Sequence, residues 1–218
     1  MPIFPLIVLL VLSMLMVAMI QVEFFEIAFA KLGLTPQGTL MVLVGTLIGS
    51  GINLPIFKIR TQESGHLVEL PGRKPVWELF QPAREGNTVI AVNVGGCVIP
   101  VGLCLYFISL QLIDPIKLGI AFAAVTALSY RMSRPEPGIG FGMPVFVAPL
   151  VSVAIALILD SEHAAHLAYI SGVLGVLIGA DVLHLKNVGS LGVPVASIGG
   201  AGTFDGIFMT GIIAALLA

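Results

Sequence analysis

Two aspartates lie in runs of apolar and glycine residues, where a charged side chain is unusual. Asp181 follows Gly175-Val-Leu-Ile-Gly-Ala, and Asp205 follows Gly199-Gly-Ala-Gly-Thr-Phe. A carboxylate at the centre of a membrane-spanning helix costs about 2.5–3.5 kcal/mol on insertion scales, so such a residue indicates function. Two carboxylates within hydrogen-bond reach share one proton, which leaves one acid and one base to activate a water molecule. We therefore predict that Asp181 and Asp205 form a catalytic pair.

Other residues predicted to contact a substrate are small or polar. They flank the pair or interrupt other apolar runs: Gly202, Thr203, Gly206, His184, Asn53 and Asn93. The chain has no CxxC or HExxH spacing, so we expect no metal site and no cofactor. In a structural interpretation, Asp181 ends a helix and pairs with His184 or Lys186, and Asp205 is a helix N-cap or bonds to backbone amides.

The composition sets the environment in which these residues must work. The chain has 218 residues, of which 57% are hydrophobic and 10% charged, with a mean hydropathy of +1.07. Soluble domains have about 45–50% apolar and about 25% charged residues. This excludes a soluble enzyme and a disordered chain, and the net charge of −2 provides no surface for nucleic acid. Membrane lipids are the expected partners.

The apolar runs predict an all-α fold, a polytopic transmembrane bundle of about seven spans. The predicted spans are Ile3–Ile20, Gly38–Phe57, Thr88–Ile113, Ile116–Tyr130, Gly138–Leu159, Ala164–Leu185 and Val195–Ala218. With loops alternating, eight of the ten Lys and Arg residues fall on one side, which the positive-inside rule places in the cytoplasm. The N-terminus is then outside, and the protein is a multi-pass protein of a prokaryotic plasma membrane.

The chain is predicted to form a single domain, residues 1–218. Its longest loop has a sequence pattern of its own. The cytoplasmic loop of residues 58–87 contains two alternating runs, His66–Leu70 and Val76–Phe80, around a Pro-Gly-Arg-Lys-Pro turn. Two such runs separated by a turn predict a small β-hairpin. A hairpin of two strands is marginal in water, so we expect it to lie against the bundle.

The order of the two aspartates resembles that of the GxGD-type intramembrane aspartyl proteases, the presenilin and signal-peptide-peptidase group. In that group one aspartate closes an inward-running helix, and the second opens the next helix after a glycine-rich approach. Here Gly202-Thr-Phe-Asp205 stands at the Gly-x-Gly-Asp position and Asp181 at the first aspartate, over Tyr169–Thr210. The resemblance implies hydrolysis of a peptide bond in a single-span membrane protein.

Two other functions fit the same residues. Glycine and proline interrupt several predicted spans, and secondary transporters bind substrate and ion at such breaks. In a transporter or channel, Asp181 and Asp205 would carry H⁺ or Na⁺, with Asn53 and Asn93 as polar partners. In a non-catalytic membrane scaffold, the glycines serve close helix packing. Over its whole length the chain looks like a prokaryotic multispanning family whose name implies no activity.

Overall fold

Short strands interrupt the helices of this chain. The computed structural model describes residues 3–60, 87–136, 140–191, 193–200 and 206–218. The helices are α1 (Ile3–Lys31), α2 (Pro36–Gly49), α3 (Ile99–Ser109), α4 (Pro115–Met132), α5 (Val147–Leu159), α6 (Ala164–Val176) and α7 (Gly206–Leu217). The strands are β1 (Asn53–Arg60), β2 (Asn87–Asn93), β3 (Arg134–Glu136), β4 (Gly140–Gly142) and β5 (Val195–Ile198). A π-helical turn (Val94–Val98) precedes α3, and α6 continues through a second π-helical turn (Leu177–Asp181) and a 3-10 helix (Val182–Leu191).

Local sequence explains where two of the helices begin. The hydroxyl of Thr35 accepts the N–H of Gly38 at the start of α2, with Pro36 in the first turn. The carboxylate of Asp114 accepts the N–H of Ile116 at 2.7 Å at the start of α4. Both are capping residues that satisfy otherwise unpaired helix amides.

Three distant parts of the chain form one sheet, in the order β1-β2-β5. β1 and β2 are antiparallel, with Asn53 opposite Asn93, whereas β2 and β5 are parallel, with Val89 opposite Val195. β3 and β4 form a separate antiparallel hairpin. The three-stranded sheet therefore ties the segment after α2 to the segment that leads into α7.

The prediction of an all-α bundle of about seven spans is wrong. Gly38–Phe57 divides into α2 and β1, Thr88–Ile113 into β2, a π-helical turn and α3, and Val195–Ala218 into β5 and α7. An apolar run of strand length cannot be distinguished from helix by hydropathy alone, and the switches occur beside asparagine and glycine. The predicted outside location of the N-terminus depends on the count of seven spans, so it is not supported either.

One helical segment among the described residues, Ala164–Gly189, is long and apolar enough to cross a membrane, and 67% of an 18-residue apolar window within it is buried in the protein. A buried core helix can be equally long and apolar, so this segment is weak evidence of membrane association. The helices Gln21–Lys31 and Pro36–Gly49 would add a second span only as one broken unit, because they are bent by 118°. The multi-pass prediction is therefore not supported.

The predicted cytoplasmic hairpin, His66–Leu70 and Val76–Phe80, lies outside the described residues. The ends of its loop are visible, since β1 runs to Arg60 and β2 begins at Asn87. Lys58 therefore belongs to a strand of the sheet rather than to the loop. The assignment of the whole chain to one domain stays a prediction.

The main core lies between the end of α1 and helices α3, α6 and α7. Tyr169 of α6 is 1% exposed and meets the ring of Phe107 edge-on at 5.5 Å. Phe208 of α7 packs against Phe29 of α1, with ring centroids 6.5 Å apart. Lys31, at the end of α1, donates a hydrogen bond from Nζ to the carbonyl oxygen of Leu216, where a positive charge also suits the helix dipole.

Glycine allows α4 and the π-helical turn after α6 to approach closely. A Cβ atom added at Gly179 would lie 2.5 Å from the carbonyl oxygen of Thr126 and 2.8 Å from Cβ of Ser129. The first of these is a backbone atom of α4, so it cannot move aside cheaply. Gly119 lies on α4, and a Cβ atom added there would have no atom within 4 Å.

We predict that Gly179→Ala destabilises the protein by about 1–3 kcal/mol, the usual cost of overpacking. Gly119→Ala is the matched control, and we expect it to stabilise the protein by about 0.5–1 kcal/mol because alanine favours helix over glycine. Thermal unfolding of both variants in detergent measures the two effects. Equal unfolding midpoints would show that α4 and this π-helical turn are not in close contact.

One ion pair joins α4 to the end of α5. Nζ of Lys117 lies 3.0 Å from Oδ2 of Asp160, and the N–H of His163 donates to Oδ1 of Asp160 at 3.2 Å. The hydrogen bond from Lys117 is the main reason that the pKa of the Asp160 carboxyl is lowered. The Lys117 side chain is 42% exposed, so solvent screens the pair and its contribution is about 0.2–1 kcal/mol.

The lowered pKa of Asp160 sets the pH range in which its ion pair with Lys117 contributes to the free energy of unfolding. Above the ordinary aspartate pKa, about 3.9, the carboxyl is ionised in both folded and unfolded chains, and the stabilisation is complete. It is lost as pH falls through that value toward the lowered pKa of the folded state. We predict that wild type exceeds Asp160→Asn in unfolding midpoint at pH 6–8 and that the difference shrinks below about pH 4. Glu162→Gln, which changes an exposed carboxyl in the same loop, should show no such pattern in thermal unfolding.

Candidate functional site

Asp181 ends the π-helical turn that follows α6 and faces the turn after β5. Its Oδ2 atom accepts a hydrogen bond from the N–H of Gly199 at 2.8 Å. Gly199 has φ +85, a left-handed conformation that glycine adopts without steric cost. The backbone of this turn thereby orients the Asp181 carboxylate. π-helical turns occur frequently at functional sites, where they displace a side chain from the regular helical position.

Backbone atoms at this turn meet without side chains between them. A Cβ atom at Gly96 would overlap the carbonyl oxygen of Gly199, and one at Gly199 would lie 2.7 Å from Cβ of Cys97. The π-helical turn before α3 therefore packs directly on the turn after β5. We call this contact, formed by Gly96, Cys97, Gly199 and Asp181, the glycine junction.

A buried amide connects the glycine junction to the sheet and to α2. Asn93 is fully buried, and its Nδ2 donates to the carbonyl oxygen of Ser50 at 2.8 Å and to Oδ1 of Asn53 at 3.1 Å. Its Oδ1 accepts the N–H of Gly96 at 2.7 Å. Asn53 Oδ1 also accepts the hydroxyl of Ser197 at 2.5 Å. The network joins the end of α2, all three strands and the glycine junction.

Three of the predicted site residues therefore converge: Asp181, Asn53 and Asn93. The two asparagines bond to each other across β1 and β2, whereas Asp181 reaches the network through Gly199. The partners that sequence reasoning missed are Ser50, Ser197 and Gly199. Only the Gly199-Gly200 pair was a visible signal, since consecutive glycines indicate a turn of unusual conformation.

His184 lies in a different environment from the glycine junction. It is 7% exposed, and its Nδ1 lies 3.1 Å from the carbonyl oxygen of Gly179. Its ring stacks on Tyr130 of α4 at 4.7 Å and contacts Phe141 of β4 at 5.0 Å. These contacts make His184 a packing residue between α4 and the β3–β4 hairpin.

The second half of the predicted pair is not described. Asp205, Gly202 and Thr203 lie outside the described residues, so the separation of the two carboxylates stays a prediction. Gly206, the first residue of α7, is exposed and has no atom within 4 Å of an added Cβ. α7 also contacts the π-helical turn Val94–Val98, which belongs to the glycine junction.

Within the described ranges, no group of three or more histidine, cysteine, aspartate or glutamate side chains is arranged to hold a metal ion. Asp181 instead accepts the N–H of Gly199, and through this turn it is connected to the network of Asn93, Asn53 and Ser197. Such a set can orient a carboxylate and hydrogen-bond a neutral polar ligand. Its available chemistry is proton transfer by the carboxylate.

A protein-family comparison covers most of the chain. Residues 47–217 match the model of a family described as "Protein of unknown function (DUF1614)". The chain belongs to the DUF1614 family. The matched DUF1614 segment contains every residue of the glycine junction and of the Asn93 network, as well as Asp205, but not α1. No curated protein and no solved structure matches the chain.

The glycine junction predicts that Gly199→Ala exposes the thiol of Cys97. The added Cβ would meet Cys97 and would have to adopt φ +85, a strain of about 1–3 kcal/mol. We expect the rate of Cys97 alkylation by a maleimide, followed by mass spectrometry, to rise at least about tenfold. Gly102→Ala, at an α3 position with no atom within 4 Å, is the control and should leave the rate unchanged. An unchanged rate in Gly199→Ala would contradict the close contact.

Proposed function

We propose that this DUF1614 protein is an aspartyl hydrolase of membrane-embedded peptides, with Asp181 and Asp205 as its catalytic pair. The observation that carries the proposal is the hydrogen bond between Gly199 N–H and Asp181 Oδ2. It holds Asp181 against the very turn that leads, six residues later, to Asp205. The resemblance to the GxGD-type proteases supports the same pairing.

The two ends of the segment carrying Asp205 support a short separation between the carboxylates. Gly199, before the segment, contacts Asp181 and Cys97. After the segment, α7 begins at Gly206 and packs on α6 and on the turn that contains Cys97. Both flanks of the segment are therefore tied to elements of the glycine junction.

In the proposed reaction one carboxylate acts as base and the other as acid. Asp181 takes a proton from a water molecule, and the oxygen of that water bonds to the carbonyl carbon of the peptide. Asp205 donates its proton to the departing nitrogen as the carbon–nitrogen bond breaks. The products are a carboxylic acid and an amine, and water is the only co-reactant.

The surface of the protein supports a substrate that lies in lipid. Large apolar side chains are exposed on α2, α4 and α5, among them Met41 at 76%, Ile116 at 73% and Ile158 at 83%. Large exposed apolar patches on a protein mark contact with a membrane or another protein. We propose that lipid covers this surface and that single-span peptides reach Asp181 from the membrane.

The transporter alternative relied on breaks in helices that line a cavity. The chain changes from helix to strand at Asn53 and from strand to helix after Asn93, and the two side-chain amides bond to each other and to the backbone. Close packing at the glycines also explains the breaks, and such packing is what we expect in a non-catalytic scaffold. The proposal therefore needs an experiment in which these three functions give different results.

The experiment uses purified full-length protein in lipid vesicles with synthetic single-span peptides of about 20 apolar residues carrying a fluorophore and a quencher. We predict cleavage by wild type and a loss of at least about 100-fold in kcat for Asp181→Asn and Asp205→Asn, the usual contribution of acid–base catalysis. Glu162→Gln, which neutralises an exposed carboxyl, should cleave like wild type.

Parallel measurements distinguish the alternatives. Unchanged Cys97 protection in the aspartate variants shows that the fold survives. Cleavage that persists in Asp181→Asn contradicts the proposal. Vesicle uptake driven by a pH or Na⁺ gradient and abolished by the same substitutions, with no cleavage, assigns the carboxylates to transport. If wild type shows neither cleavage nor uptake, the proposal is contradicted and the scaffold function is favoured.

A further inference from the structure

The Asn93 side chain has only one possible orientation, because backbone groups fix both of its ends. Gly96 N–H must face an acceptor, so Oδ1 of Asn93 lies toward it at 2.7 Å. The Ser50 carbonyl must face a donor, so Nδ2 of Asn93 lies toward it at 2.8 Å. An exchange of the two amide atoms would put donor against donor and acceptor against acceptor in a fully buried site.

The orientation of Asn93 determines the orientation of Asn53. The second N–H of Asn93 points at Asn53 across the β1–β2 ladder, so Asn53 must present its oxygen there, at 3.1 Å. The same oxygen accepts the Ser197 hydroxyl. With Oδ1 occupied by two donors, the Nδ2 group of Asn53 is turned away from the network. Asn53 is exposed, and within the described residues its Nδ2 has no hydrogen-bond partner.

We propose that Nδ2 of Asn53 binds a backbone carbonyl oxygen of the substrate, close to the peptide bond attacked by the water molecule that Asp181 activates. The inference rests on the proposed function and adds the group that positions the peptide. Asn53 is held to Ser197, and only one residue separates Ser197 from Gly199, whose N–H holds Asp181. An extended peptide spans about 3.3–3.6 Å per residue, so one substrate segment of a few residues reaches both groups.

The chemistry of Asn53 matches a peptide carbonyl better than a charged or apolar group. A carboxamide N–H₂ donates hydrogen bonds without carrying charge, so it binds a neutral acceptor with little desolvation. Its rotation is already fixed by two hydrogen bonds, so little side-chain entropy is lost on binding. Asn53 therefore acts as a preoriented substrate-binding group, and Asn93 as the residue that positions it.

The test substitutes Asn53→Asp, which retains the oxygen that Asn93 and Ser197 need but replaces the outward donor by an acceptor. The matched control is Asn87→Asp, the same change at the exposed opposite end of the sheet, where Asn87 pairs with Arg60. Both are made in the Asp181→Asn background, so that the labelled single-span peptide is bound but not cleaved. The Kd is measured by fluorescence in lipid vesicles.

We expect Asn53→Asp to weaken peptide binding about 10- to 100-fold, through a lost hydrogen bond and repulsion between two acceptors, and Asn87→Asp to leave it unchanged. Cys97 alkylation must match wild type, which shows that the network is intact. A peptide with a thioamide, a poorer acceptor, at the contacted carbonyl should bind more weakly to the parent protein but equally to Asn53→Asp.

Each result decides one of the two proposals. If Asn53→Asp binds the peptide as tightly as its parent, or if the parent does not bind the peptide, the Asn53 assignment is overturned. If Asn53→Asp weakens binding but the protein with both aspartates does not cleave the bound peptide, Asn53 remains a peptide-binding residue. The proposed hydrolysis then fails alone.

Discussion

Asn93 is the buried amide on which the central architecture depends. Its three hydrogen bonds satisfy Ser50 at the end of α2, Asn53 on the neighbouring strand and Gly96 at the start of the turn before α3. A buried polar group left without a partner costs about 1–3 kcal/mol, so these bonds hold the surrounding backbone in one arrangement. That arrangement sets Gly96 against Gly199 and thereby sets Gly199 N–H against Asp181.

The sequence predicted helices well where an apolar run was uninterrupted and began with a capping residue. The span expected at Ile116–Tyr130 is α4, Pro115–Met132, which starts at the Asp114 cap. Runs that contain Asn-Leu-Pro or Asn-Val-Gly-Gly were wrongly extended as helices. Hydropathy records only that these residues avoid water, and a buried strand avoids water as well as a helix does.

Some residues of the candidate site could be recognised from the sequence, and the others could be recognised only from the fold. Asp181 and Asn93 were recognisable because a polar group in an apolar run must be either satisfied or functional. The N–H of Gly199 carries no side-chain signal, and Ser197 resembles any other serine. Their roles arise from the parallel pairing of β2 with β5, which sequence separation conceals. The contacts of His184 with Tyr130 and Phe141 also required the fold, because its distance from Asp181 along the chain does not reveal which helix it faces.

The parallel pairing of β2 with β5 also means that β2 is synthesised well before its second neighbour in the sheet. The two strands are about 100 residues apart, and a ribosome adds about 5–20 residues per second. Asn93 is therefore synthesised roughly 5–20 s before Gly199, and during that interval β2 has only β1 as a neighbour. The glycine junction is completed only after Gly199 has been synthesised. A chain that stops before β5 consequently carries Asn53 and Asn93 but lacks Ser197 and Gly199, so it has neither the third strand of the sheet nor the amide that holds Asp181.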